Sequence, residues 1–147
     1  MDGILSCENM DCVFCTIDKE KTRTVEVGKT MTVILSNPRL MKGHILIIPK
    51  RNIEKINDLT SAEKDEMFSL LCKYNEKILK NFASGVDIKQ NYRPFMKNSE
   101  VKVAHFHFHL QPRELFDELY EKSQKHETEI FKKLTEEEIN ETLKKLK

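Results

Sequence analysis

Apolar and polar positions alternate in some stretches of the chain, run together in others, and recur at helical spacing in one long stretch. Between Val25 and Leu35, Val, Ile and Thr predominate and the run breaks at Gly28-Lys29, which predicts a β-hairpin with a two-residue turn. Asn37-Pro38 closes it, because proline has no N–H to give a ladder and restricts the residue before it. After a loop, Ile45, Leu46, Ile47 and Ile48 follow His44 without interruption and stop at Pro49. Such a run suits a strand buried on both faces.

From Thr60 the period changes. Thr60 and Glu63 have the spacing of a capping box, and Met67, Leu70, Leu71, Tyr74, Ile78 and Phe82 recur at helical spacing as far as Ser84-Gly85. Cys72, inside this helix, reads as a small, partly buried packing residue. Val86 to Tyr92 and Val101 to Gln111 alternate and read as strands, the second ended by Pro112. Beyond it, Leu115 to Phe131 and Ile139 to Leu146 are charged and amphipathic, with Thr135 and Glu138 as a second capping box and Ile139, Leu143 and Leu146 on one stripe. This tail reads as a helical appendage, residues 114–147, on a domain formed by residues 1–113.

Size and charge narrow the partners. A chain of 147 residues with 39% apolar content fits one globular core. Its 25 basic and 24 acidic side chains leave a net charge of +1, so electrostatics gives no case for nucleic acid or an anionic membrane. The charged content of 33% describes solvated helix faces. No apolar run approaches the length of about 20 residues that spans a bilayer. The start, Met1 to Asp11, has acids but no basic residue, unlike a signal peptide. A cytoplasmic setting is therefore expected, with Cys7, Cys12, Cys15 and Cys72 as free thiols or metal ligands.

The chemistry concentrates in His105-Phe106-His107-Phe108-His109. Histidines at spacing two share one face of a strand, whereas on a helix the same spacing scatters them. Phe106, Phe108 and Leu110 would then cover the opposite, core-facing side. Imidazole titrates near neutrality and serves as nucleophile, proton donor or metal ligand. A neutral middle ring, held by its neighbours, can attack phosphorus and form a phosphoramidate, while the flanking rings stabilise the phosphoryl oxygens or protonate the leaving group. Two other readings compete: a transition-metal site, and packing histidines without chemistry.

His105-Phe106-His107-Phe108-His109-Leu110-Gln111-Pro112-Arg113 resembles the signature of the histidine-triad (HIT) superfamily. Gly43-His44-Ile45-Leu46-Ile47-Ile48-Pro49-Lys50 is similar to that family's Gly-His strand, and Cys12-Val13-Phe14-Cys15-Thr16-Ile17 to the start of members with an N-terminal Cys-x-x-Cys, Hint-like and prokaryotic HIT proteins among them. The resemblance implies an α+β fold with an antiparallel sheet, a long helix and, here, the C-terminal helical extension. It further implies a purine nucleotide substrate of AMP type, attacked at its α-phosphate through a covalent nucleotidyl-histidine. The nucleophile's role falls on His107, phosphate contact on His109, orientation of the site or zinc ligation on His105, and support of the cluster on His44. Asn37 or Ser36 is the polar candidate for the ribose hydroxyls. A homodimer is the assembly the family implies, and no cofactor is needed for the chemistry.

Two departures bear on the subclass. Where the family commonly has Gly-Gln before the triad, this chain has Asn98-Ser99-Glu100-Val101-Lys102-Val103-Ala104, in which Ser99, Asn98 and Lys102 are the polar candidates for substrate contact. Members with the cysteine pair complete a zinc shell with a histidine in Pro-Lys-x-His, where this chain has Asn52, a poor ligand. The expected metal set is therefore Cys12, Cys15 and His105 around a structural zinc. The reading is a HIT nucleotide hydrolase of phosphoramidase type. The alternatives are a dinucleoside polyphosphate hydrolase, a nucleotide-binding or interaction protein with little turnover, and a zinc-binding scaffold.

Overall fold

A computed structural model describes Phe14 and residues 23–97 and 104–147. The expected sheet forms from β1 (Thr24–Val27), β2 (Met31–Leu35), β3 (Ile45–Pro49), β4 (Gly85–Lys89) and β5 (Phe108–Arg113). All neighbours are antiparallel, in the order β1-β2-β3-β5-β4. A long helix, α1 (Ser61–Asn81), connects β3 to β4. The α+β fold is thus observed, with β3 and β5, the strands of the two histidine motifs, side by side in the middle.

Alternation explains how the sheet holds α1. Val33, Ile45, Ile47 and Leu110 pack with Met67, Leu70, Leu71, Tyr74 and Ile78 of the helix in one core, joined by Phe106 and partly by Phe108. Each residue of β3 is buried, as its unbroken apolar run requires. Thr60 and Glu63 form the expected capping box: the Thr60 side chain accepts from Glu63 N, and the Glu63 carboxylate accepts from Thr60 N at 2.9 Å. Cys72 is exposed, contrary to the sequence reading. It follows Leu71 by about 100° around the helix, which carries it past the buried stripe. Phe82 forms the C-cap and leaves the core stripe.

The hairpin turns one residue later than expected. Gly28 N donates to Met31 O at 2.8 Å, so Lys29 and Thr30 form the tip. Glu66 of α1 decides this, its carboxylate accepting from Thr30 N at 2.9 Å and from Thr30 Oγ1 at 2.7 Å. A Cβ on residue 28 would lie 1.9 Å from Glu66 Oε1, which is why a glycine stands there.

Two strand boundaries also differ. The strand expected over Val86 to Tyr92 spans Gly85–Lys89. The strand expected over Val101 to Gln111 is in ladder only from Phe108, because Phe106 gives its N–H to Ile53 O at 2.6 Å and has no strand partner. Pro112 does not end β5. Pairing with β3 reaches only Leu110, so Pro112 lies where β5 has β4 alone beside it, a place a strand can hold proline.

The chain divides into two compact units, the first ending at Glu114 and the second running from Leu115 to Lys147. The second contains α2 (Glu118–Lys122), a 3-10 segment (Gln124–Glu129) and α3 (Glu136–Leu146). The amphipathic stretch from Leu115 is not one helix. Phe116 sits at φ 55, in left-handed conformation, and α2 starts only after the Asp117 side chain accepts from Tyr120 N. The capping box at Thr135 and Glu138 starts α3 as expected, and Ile139, Leu143 and Leu146 remain exposed along it.

Candidate active site

His44 is placed by the turn before β3. Gly43 has φ +88, a conformation that L side chains resist, and a Cβ there would meet the Phe82 ring at 2.9 Å and Pro112 at 3.1 Å. The chain can therefore reverse tightly between Met41, whose carbonyl accepts from His44 N at 3.1 Å, and β3. The His44 carbonyl in turn accepts from Ser36 N at 2.9 Å, which ties the loop's two ends together. The imidazole is held 4% exposed under this loop.

β5 and the extended segment before it bring the other imidazoles to the same place. His44 Nε2 lies 3.0 Å from His109 Nδ1. The His107 and His109 rings are 4.7 Å apart, and the His44 and His109 rings 5.2 Å. Alternation holds through the irregular residues: Phe106 and Leu110 are buried in the core, and His105 and His107 are buried on the histidine side. Phe14 meets His107 edge-on at 4.9 Å and His105 at 6.0 Å.

Backbone groups fix the protons. Leu40 N–H donates to His44 Nδ1 at 3.2 Å, so that nitrogen carries a lone pair and Nε2 carries the hydrogen. His44 Nε2–H then donates to His109 Nδ1, and the hydrogen of His109 is left on Nε2. His107 Nδ1–H donates to its acceptor, the His105 carbonyl, at 2.7 Å, which leaves the lone pair on His107 Nε2. His105 Nε2–H donates to Pro49 O at 2.7 Å.

Burial keeps these rings neutral. It lowers the His44 pKa to about 4, with help from the positive charge of Lys89 and from His107. It lowers that of His109 to about 3, helped by His107, His44 and Lys89. Burial also lowers His105 and His107, against the hydrogen bonds that each donates to a carbonyl. The cluster is a set of neutral imidazoles in which, among the described residues, His107 has a free lone pair and its neighbour His109 a free N–H.

Of the residues expected at the site, His44, His105, His107 and His109 are gathered here. Ser36 gives its hydroxyl to Pro38 O at 2.8 Å within the loop, and Asn37 is exposed. Ser99, Asn98, Lys102, Cys12 and Cys15 lie outside the described residues. No group of three His, Cys, Asp or Glu side chains among the described residues stands ready to hold a metal ion, and Asn52 is no substitute for a histidine. The described donors do not by themselves make a zinc site. Sequence reasoning missed Phe14 and Lys89. Lys89 is the direct cross-strand partner of His109, and the alternation of β4 with Asp87 and Lys89 on one face was the signal for it.

An antiparallel sheet thus presents, among the described residues, a buried imidazole with a lone pair on Nε2 beside a half-buried imidazole with a hydrogen on Nε2. Residues 18–115 match the HIT domain, and the chain belongs to the HIT family. It is 28% identical over 109 residues to adenosine 5'-monophosphoramidase hnt1 of Schizosaccharomyces pombe, covering 71% of this chain and 75% of that protein. It is 31% identical over 81 residues to the asymmetrical bis(5'-nucleosyl)-tetraphosphatase of the same organism, covering 53% of this chain but only 42% of that protein. A crystal structure of a HIT family protein from Bacillus anthracis superposes with a TM-score of 0.66 at 25% identity, over 92% of this chain and 94% of the other. No helix among the described residues is long and apolar enough to cross a membrane.

Proposed function

We propose that the protein hydrolyses a nucleotide at its α-phosphorus through a covalent nucleotidyl-His107, as a purine nucleoside phosphoramidase. The observation that carries this reading is the direction of the hydrogen bonds. His107 Nδ1–H is held by the His105 carbonyl, and the Leu40–His44–His109 series leaves His109 with its hydrogen on Nε2. His107 Nε2 attacks phosphorus and a P–N bond forms as the bond to the leaving amine breaks. His109 Nε2–H donates to a phosphoryl oxygen where charge develops, and a proton goes to the departing amine. Water then attacks, the P–N bond breaks, and the nucleoside monophosphate leaves with His107 neutral again.

Support for an amine leaving group is the longer of the two enzyme matches, the one to the phosphoramidase. Zinc enters no step; a structural zinc on Cys12, Cys15 and His105, a homodimer and a cytoplasmic setting complete the reading as proposals. The test is incubation with adenosine 5'-phosphoramidate and with diadenosine tetraphosphate, beside His107→Asn. AMP release by the wild type, lost by at least about a thousandfold in the variant, is expected. No AMP from any nucleotide, or an active His107→Asn, sinks the proposal.

A further inference from the structure

Across from His109 stands a cation that the histidine chemistry does not use. Lys89 and His109 are Cα partners across the β4–β5 ladder. Directly opposed residues project to the same face with Cβ atoms about 5 Å apart, so a lysine stem of four carbons is long enough to bring its charge beside the ring. Its charge is felt at both His44 and His109. Among the described residues, no carboxylate is ion-paired with Lys89. The acid on the same face of β4, Asp87, is ion-paired with Arg113 instead.

We propose that Lys89 is a specificity-determining residue that binds anionic substituents beyond the α-phosphate, so that substrates carrying further phosphates depend on it and an uncharged amine leaving group does not. The inference rests on the proposed attack by His107 and concerns what departs. With a polyphosphate substrate, the P–N bond to His107 forms as the bridging P–O bond breaks, and the electron pair leaves on the β-phosphate oxygen. That oxygen and its phosphoryl neighbours gain charge where the ammonium stands. A phosphoramidate offers no such charge, because its amine departs neutral after taking a proton. Lysine serves this purpose as a compact point charge on a flexible stem.

Two measurements test it. The first is the ratio of kcat/KM for diadenosine tetraphosphate to kcat/KM for adenosine 5'-phosphoramidate, in wild type, Lys89→Met and Lys89→Arg. A ratio removes any effect of Lys89 on folding or on the imidazoles that both substrates share. It is expected to fall about tenfold or more in Lys89→Met and to recover in Lys89→Arg. The second is equilibrium binding of AMP, ADP and ATP to the same proteins, which needs no turnover. Affinity is expected to rise from AMP to ATP in wild type and to lose that rise in Lys89→Met. An unchanged ratio, or an AMP-to-ATP series that is flat in wild type or intact in Lys89→Met, overturns the role of Lys89. Failure of the hydrolytic reading is distinguishable, because it removes turnover and leaves the binding series intact.

Discussion

Acidification should unfold this protein in a window to which His44, His105, His107 and His109 all contribute, His44 and His109 with the largest shifts. His44, buried, and His109, half-buried, are neutral in the fold, with pKa values lowered to about 4 and about 3, against an ordinary value near 6.5 in the unfolded chain. Above about pH 6.5 neither state binds the proton, and the pair contributes no pH dependence. Below it the unfolded chain takes up protons that the folded chain refuses, so stability falls as pH falls, by about 1.4 kcal/mol per unit and per histidine. For His44 the fall continues to about pH 4 and for His109 to about pH 3. At about pH 5 each has removed about 2 kcal/mol, and the two together about 4 kcal/mol, a large part of an ordinary domain's stability. Lys89 on β4, and His107 on the segment leading into β5, face the pair and oppose its protonation, as does each member of the pair toward the other. The carboxylates held below their ordinary range, Glu26, Glu63 and Glu66, lose their contribution only near and below pH 4.5, so they barely enter this window.

Urea unfolding followed by circular dichroism at about pH 8, 6.5 and 5 measures the effect. The expected pattern from the pair is a loss of under about 1 kcal/mol over the first interval and of about 3 kcal/mol over the second. His44→Gln keeps an amide to bond His109 but removes one titrating group, and should remove about 2 kcal/mol of the loss between about pH 8 and pH 5 whatever it does to absolute stability. A wild-type loss under about 1 kcal/mol, or a His44→Gln variant with the full dependence, would refute neutral burial of the pair.

Gly28→Ala should destabilise by about 2–4 kcal/mol, because its Cβ would displace the Glu66 carboxylate and break the bonds at the hairpin tip. A Tm lower by about 5–15 °C checks it, and an equal penalty in a Glu66→Ala background would show that the clash is not with Glu66. Gln111 is fully buried on β5 with neither amide atom hydrogen-bonded. Gln111→Leu should therefore hold or raise stability by about 1–3 kcal/mol in urea unfolding, and a loss of more than about 1 kcal/mol would mean that the amide has a partner.

How much of this was legible in the sequence depends on what kind of group decides each feature. Thr60 and Glu63 placed the start of α1 because a capping box is closed by residues three positions apart, and no tertiary contact is needed. The unbroken run after His44 marked β3 as a strand buried on both faces, since a strand with a solvated face alternates apolar with polar residues. The alternation of His105 to His109 separated core from site even where the ladder stops. Features set by distant partners were not legible. Cys72 falls outside a stripe whose width packing decides, Pro112 stays in β5 because β3 ends beside Leu110, and the hairpin tip moves by one residue to meet Glu66.

The same distinction runs through the site. Which side chains gather was readable from spacing, but which nitrogen of each carries the hydrogen was not, because the deciding groups are backbone atoms: Leu40 N–H, the Pro49 carbonyl and the His105 carbonyl. These atoms belong to every residue type, and sequence says nothing of their direction. Yet they separate a ring with its lone pair on Nε2 from a ring with its hydrogen on Nε2 within a row of identical side chains. Exchanging the hydrogens of His107 would place its lone pair against a carbonyl and its N–H on Nε2, with the same residues in the same places. The reactivity of the cluster thus resides in the fold's placement of peptide groups around it, and the sequence motif determines only that imidazoles are there to be polarised.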